Sequence, residues 1–334
     1  MDLSPPKFSV LIVNYNGGEF LQDAIDSLSA QTFRDFEVIL VDNNSDDDSI
    51  RNLNAQNLPD FTLLEENENH GFAGGNNLAA KVARGEWLVL LNPDAYAEPD
   101  WLERIHDASM LDPDVNVFAC AQISLDQPAI LDGTGDAYSI YGVPWRGGFG
   151  HPISALPGKG SCFSPCGASA VYRRDVFLHY GGFDERFFCY CEDVDLGYRM
   201  QLGGESCVFL PDAIIRHKGS GTSGRRSYFT MYHGNRNRTW TYLKNTPLLL
   251  LILTLPAHLA IVGYIYNHNR SSLGNDGMRD GIIEGFRTGW KLRREKHYRV
   301  QRRRVSVWRL ALAMAWNPFL VLHRKPHVKS MQLR

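Results

Sequence analysis

Four nearly continuous apolar runs constrain this chain more than any other feature in it: "KFSVLIVNYN", "FEVILVDNNS", "FTLLEEN" and "EWLVLLNPDA". Runs without polar alternation belong to strands covered on both faces, which is the pattern of a parallel sheet. Between the first two, Leu21, Ala24, Ile25 and Leu28 recur at helical spacing, and after Asn76 a further helix-compatible stretch leads to Gly85. This order predicts an α/β fold with a doubly wound, mostly parallel, Rossmann-like sheet. At 334 residues the chain has room for an appended unit. The expected division is a domain over residues 1–240, with a nucleotide-binding half at 1–125 and an acceptor and catalytic half at 126–240, then a basic, apolar helical region at 241–334.

In open α/β sheets ligands bind beyond the carboxyl ends of the strands. Polar residues gather at those ends: Asn14 and Asn16, Asp42 with Asn43 and Asn44, Asn67 and Asn69, then Asn92 and Asp94. A single strand ending this way is ordinary turn chemistry; the repetition points to a site. The first turn, "VNYNGG", lacks the G-x-G-x-x-G of a dinucleotide fold, which argues against a nucleotide-dependent oxidoreductase. A carboxylate at Asp42 can accept from a ribose hydroxyl or a base N–H. Diphosphate needs positive charge, and a divalent cation such as Mg²⁺ or Mn²⁺, which prefers oxygen ligands, supplies it in an acidic body. Asp94 in "LNPDA" stands where it can be a ligand, although a Pro-containing turn reads the same way. His217 closes another apolar run, "AIIRHKGSG", where a structural histidine is the plainer reading. The loop after it, "KGSGTSGRR", is suited either to phosphate or to an exposed connection. From Asp126 to Gly160 the chain turns to Gly, Pro, Tyr and Trp without a period, and loops and short strands over the site are expected.

The stretch "FDERFFCYCEDVDLGYRM" leads an acid triplet in with Phe, Phe, Cys, Tyr and Cys. Carboxyl groups drawn into an apolar setting have a partner or a task. On a helix Glu192, Asp195 and Arg199 share a face, with Asp193 about 100° away from Glu192. Arg199 is placed to pair with Asp195, which leaves another acid free to take a proton, as activation of a hydroxyl requires. An acidic first turn favoured by the helix dipole is the plainer alternative.

Towards the C-terminus, "PLLLLILTLPAHLAIVGYIY" is near bilayer-spanning length without a formal charge, and "VSVWRLALAMAWNPFLVL" is a second apolar stretch. From Gly285 onward fourteen Lys and Arg face Glu295 alone. Spanning would put this charge on the wrong side of a cytoplasmic body, so helices lying on an anionic cytoplasmic leaflet are expected, or else a helical core packed on the body. The six cysteines lack C-x-x-C spacing and follow no signal peptide, so they read as free thiols in a reducing cytosol.

Taken in order over residues 7 to 240, "SVLIVNYNGGEFL", "VDNNSDD", "NENHGFAGGNN", "LLNPDA", "CGASAVYRR", "FDERFFCYCEDVDLGYRM" and "RHKGSGTS" resemble family 2 of the inverting nucleotide-sugar glycosyltransferases, of GT-A fold, and especially its rhamnosyltransferase-like branch. The resemblance implies that Asp42 contacts the nucleoside, that Asn69, Gly71 and Asn76 flank the donor nucleotide, and that "NPD" stands in for a metal-binding D-x-D with Asn92 replacing the first acid. It makes Asp94 and His217 the metal ligands and Asp193 the catalytic base beside Glu192 and Asp195. Cys166, Gly167 and Ala168 match a segment lining the donor-sugar and acceptor region. The implied partners are a nucleoside diphosphate sugar, with dTDP-rhamnose as the branch's suggestion, and a glycan or lipid-linked glycan acceptor at the inner face of the cell membrane, with no nucleic acid. A binding module without turnover is the remaining rival.

Overall fold

The computed structural model describes residues 4–219, 226–269, 274–295 and 304–330. The chain runs β1 (Phe8–Asn14), α1 (Phe20–Ser29), β2 (Phe36–Asp42), β3 (Phe61–Glu65), α2 (Gly71–Val82), β4 (Trp87–Leu90), β5 (Ala95–Ala97), α3 (Trp101–Leu111) and β6 (Val117–Ser124). Then come β7 (Leu131–Gly133), β8 (Asp136–Tyr138), β9 (Pro144–Arg146), β10 (Gly160–Cys162), β11 (Ala170–Arg173), α4 (Arg174–His179), α5 (Glu192–Gly203) and β12 (Cys207–His217). Five helices close the chain: α6 (Tyr228–Asn245), α7 (Leu248–His268), α8 (Asn275–Arg294), α9 (Val307–Ala313) and α10 (Pro318–Leu322).

The sheet has the order β10-β12-β6-β11-β4-β1-β2-β3. Strands β4, β1, β2 and β3 are parallel, as the continuous apolar runs predict, and β12 is parallel to β6. Strand β11 enters antiparallel between β4 and β6, so the sheet is mixed beyond its first half. Alternate residues of β1 and β2 serve opposite cores. Val10, Ile12, Val38 and Leu40 pack with α1 and α3, whereas Leu11, Ile39 and Val41 pack with α2, α4 and α5. Helix α2 begins at Gly71, earlier than its sequence suggests, because glycine obscures the helical pattern. A Cβ at Gly75 would lie 2.6 Å from Val13 of β1, so the helix presses on the sheet too closely for a side chain.

Helix α6 crosses residue 240, the expected domain boundary, and α8 lies against it along a ladder of glycines. A Cβ at Gly277, Gly281, Gly285 or Gly289 would meet the α6 atoms Tyr228 O at 2.5 Å, Tyr232 O at 2.3 Å, Thr239 Cβ at 2.6 Å and Leu243 Cδ1 at 2.8 Å. Helix α7, of 21 residues with an 18-residue stretch of mean hydropathy 2.3, is the one helix among the described residues long and apolar enough to cross a membrane. It packs by Leu250, Leu251, Thr254, His258 and Val262 and leaves Leu249, Ile252 and Leu253 exposed. The second apolar stretch is not one helix. Asn317 caps α10 by accepting from the Phe319 N–H at 2.9 Å, with Pro318 in the first turn, and this separates α10 from α9. The loop at 220–225, with most of "KGSGTSGRR", and the tail cations Lys296, Arg299, Arg302, Arg303 and Arg334 lie outside the described residues.

Candidate active site

The polar strand ends meet along one edge of the sheet. Asn14 Nδ2 donates to Asp42 Oδ1 at 3.0 Å, and Ser45 Oγ donates to the same oxygen at 2.6 Å. Asn16, at φ 54°, turns the chain so that its N–H reaches Ser45 Oγ at 3.0 Å and its side chain accepts from the Asp46 N–H. Asn69 Oδ1 accepts from the Gly71 N–H at 2.8 Å. Gly71 itself has φ +69°, and a Cβ there would lie 2.4 Å from the Phe188 carbonyl oxygen, so this turn is fitted against the aromatic lead-in to α5. Asn14, Asn43, Asn76 and Asn92 each have a buried Oδ1 without a partner. Unpaired amide oxygens are costly in an interior, and three of these, on Asn14, Asn43 and Asn92, follow or end strands at the sheet's carboxyl edge, where a ligand rich in hydroxyl and N–H donors, or a hard cation, would satisfy them.

At the end of β4, Asn92 and Asp94 face His217 from the end of β12. His217 Nε2 lies 3.2 Å from Asp94 Oδ1 and 3.4 Å from Asn92 Nδ2, while its Nδ1 bonds Asp132 Oδ2 at 2.7 Å. Burial disfavours the imidazolium, but the hydrogen bonds to Asp132 and Asp94 outweigh it and hold the His217 pKa above its ordinary value. Burial raises Asp132 too, and Arg146, at 2.6 Å, together with His217 brings it down to about 2. A carboxylate, an orphaned amide oxygen and an imidazole oriented through its other nitrogen make a donor set that fits Mg²⁺ or Mn²⁺. Asp132 and Arg146 come from β7 and β9, inside the stretch that showed no period, and the sequence offered only their charge in a Gly-rich surrounding as a signal.

Beside this group opens a cleft of about 320 Å³ lined by Asn92, Trp145, Arg146, Gly167, Tyr190 and Asp193. Asp193 lies in the first turn of α5 and is partly buried. Its Oδ2 accepts from the Gly167 N–H and its Oδ1 from its neighbour Val194 N–H, each at 2.7 Å. Gly167 allows that approach, since a Cβ would crowd Phe72 at 3.0 Å and Asp193 Oδ2 at 3.3 Å. Ala168 accepts from the Asn92 N–H at 3.2 Å, so one short segment touches both Asp193 and Asn92. Burial raises the Asp193 pKa, and the two backbone N–H groups and Arg146 oppose the shift. Glu192 is 4% exposed, and burial and then Asp193 push its pKa well above the ordinary range.

Asp195 does not join the cleft acids. It is fully buried, and it accepts from Lys244 at 2.9 Å, Arg199 at 2.9 Å and Asn245 at 2.8 Å. Lys244 also donates to Asp184 at 2.7 Å, and Asp184 is clasped by Arg186. The pairing with Arg199 follows the helical spacing; Lys244, on α6, adds a second cation, and neither Asp195 nor any of these partners lines the cleft.

The aromatic lead-in is held by a contact that the sequence did not suggest. Phe188, Tyr190 and Cys191 have φ of 64°, 75° and 64°, a left-handed region that such residues rarely occupy. Asn237 of α6 fixes them, its Nδ2 lying 2.8, 2.9 and 2.7 Å from the carbonyl oxygens of Phe187, Cys189 and Tyr190. Two hydrogens are shared among three acceptors, and the bend they hold delivers Asp193 to the cleft.

The family model described as glycosyl transferase family 2 matches residues 9–181. Over 262 residues the chain is 28% identical to the N-acetylglucosaminyl-diphospho-decaprenol L-rhamnosyltransferase of Mycobacterium tuberculosis, covering 67% of this chain and 80% of that one. It is 32% identical over 228 residues to the O-antigen biosynthesis protein RfbC of Myxococcus xanthus, over 64% of this chain and 17% of that protein. In fold it is similar to the mannosyltransferase PcManGT from Pyrobaculum calidifontis in complex with GDP-Man and Mn²⁺, with a TM-score of 0.53 and 17% identity over 86% of this chain and 88% of that one.

Proposed function

The chain belongs to glycosyl transferase family 2, in its rhamnosyltransferase-like part, and from that premise we propose that it transfers a sugar with inversion from a nucleoside diphosphate donor to a hydroxyl of a lipid-linked glycan. The observation that carries this reading is Asp193, an acid open to the cleft with both oxygens oriented by backbone N–H groups. A carboxylate whose pKa is raised by burial is a stronger base than one in water, and its fixed geometry aims it. Asp193 takes the proton of the acceptor hydroxyl as that oxygen attacks the anomeric carbon. The bond from that carbon to the diphosphate oxygen breaks on the opposite face, and the nucleoside diphosphate leaves. Asp42, Asn14 and Asn76 hold the nucleoside side, and Gly167 and Ala168 the sugar. Asp94, Asn92 and His217 would hold a divalent metal, which when bound offsets the diphosphate's charge. The donor suggested is dTDP-rhamnose, since the Mycobacterium tuberculosis relative is a rhamnosyltransferase. Its decaprenol-linked acceptor suggests an acceptor at the cytoplasmic face of a membrane, and the outward apolar face of α7 supports the same place.

The test is titration with dTDP, UDP and GDP, each with and without Mn²⁺, on wild type, Asp94→Ala and Asp193→Asn. One diphosphate should bind wild type only with metal. Asp94→Ala should lose the metal-dependent part, and Asp193→Asn should keep it while losing transfer. Substantial turnover by Asp193→Asn would remove the base assignment.

A further inference from the structure

Helix α6 contains a glycine that neither packing nor backbone conformation explains. The glycines of α8 sit where a Cβ would strike α6. Gly234 is different: it lies within α6, outside the left-handed region, and a Cβ there would meet no atom within 4 Å. Glycine is among the poorest residues for a helix interior. Yet Gly234 lines the cleft that holds Asp193, together with Trp145 and Arg146. What the glycine provides is room.

The rim of that room is aromatic. Tyr190 lines the cleft, and outside that lining its ring lies 6.4 Å from that of Phe229, five residues before Gly234 on α6. Phe229 is 39% exposed and lies 6.1 Å from Phe188 and 4.4 Å from His233. Phe72 and Trp145 also line the cleft, and among these rings stand the polar groups of Glu192, Asp193 and Arg146. Apolar rings facing a few directed polar groups suit a ligand with one apolar face and a hydroxylated edge, which describes a pyranose ring. The strand-end cluster of Asn14, Asn16 and Asp42 does not line this cleft, which separates it from the nucleoside side.

Resting on the functional reading above, we propose that Gly234, with Tyr190 and Trp145, forms the subsite for the acceptor's sugar ring, and that the missing side chain at Gly234 sets how large an acceptor the enzyme takes.

The test is a size series, Gly234→Ala, Gly234→Leu and Gly234→Phe, assayed with N-acetylglucosaminyl diphosphate bearing a short alkyl chain as acceptor. Melting temperature should hold or rise, because each substitution favours the helix. Nucleoside diphosphate affinity should stay within about twofold while kcat/KM for the acceptor falls stepwise, by about tenfold or more at Leu and further at Phe. Transfer by Gly234→Phe within about twofold of wild type would overturn the proposal. So would a loss of nucleotide affinity parallel to the loss of transfer, because the glycine would then belong to the donor site. A wild type that binds nucleotide with metal but is inert towards this acceptor would remove the acceptor reading and this subsite with it. A wild type that binds no nucleotide would instead strike the functional reading itself.

Discussion

Glu192 and Asp193 are neighbours in sequence with different fates, and burial decides which. Asp193 keeps an opening to the cleft and two backbone donors, whereas Glu192 has a buried Oε2 without a partner. The folded Glu192 therefore has a raised pKa, caused by burial first and by Asp193 second. A group whose folded pKa lies above its unfolded value contributes stability that is complete below the unfolded value and lost as pH rises through the folded one. Glu192→Gln keeps the shape without the ionisation. Its melting temperature should overtake that of wild type as pH rises from about 5 towards 9, and parallel curves over that range would mean that Glu192 is not the buried proton carrier. The raised pKa of Asp193 has its own consequence for rate. The acid limb of kcat/KM should fall above the ordinary aspartate value, with activity lost as pH drops through it. The two acids were legible because an acid triplet after a run of aromatics is unusual. The role of Asp195 was not, because helical spacing reveals Arg199 but says nothing of Lys244 on another helix.

At the level of elements, α6 supports the turn that carries Asp193. Asn237 carries three carbonyl oxygens of the left-handed segment, and Lys244 neutralises Asp184 and Asp195 at the base of α5. Asn237→Ala removes the amide donor that the three carbonyl oxygens share, at roughly 1–3 kcal/mol. Since the bend they hold aims Asp193, kcat should fall far more than nucleotide affinity; equal losses in both would mean that Asn237 merely stabilises the fold. Lys244→Met removes the cation shared by Asp184 and Asp195, which keep Arg186 and Arg199, and denaturant unfolding should show a loss of about 1.5–3 kcal/mol, as for a hydrogen bond to a charged group. The parallel strands and α1 were readable from their periods. The start of α2 was hidden by glycines that close packing requires, and the strands from Leu131 to Arg146 are three residues each, too short to show a period. Asn237 and Lys244 gave no signal because single polar residues in a polar helix look like surface.

Over the whole molecule the exposed apolar residues collect on the C-terminal helices: Leu249 at 63% and Leu253 at 69% on α7, Trp308 at 65% on α9 and Phe319 at 64% on α10. The helices share core clusters, Leu250 with Leu310 and Met314, and Ile261 with Val321, so these residues belong to one packed unit. Arg309, Arg324 and Lys325 stand among them, exposed, and an apolar surface with basic residues fits an anionic bilayer. The intact chain should float with anionic vesicles at low salt, with a blue shift of tryptophan emission, and Leu249→Glu with Leu253→Glu should abolish flotation. A wild type that stays at the bottom would favour helices that simply cover the body. The glycine ladder of α8 carries a different consequence, one of phase. Each residue advances a helix by about 100°, so a single inserted residue between Gly277 and Gly289 would swing every later glycine off the α6 backbone and bring side chains in. This stretch should accept neither a longer nor a shorter chain, and length changes in the C-terminal region should be tolerated only outside it.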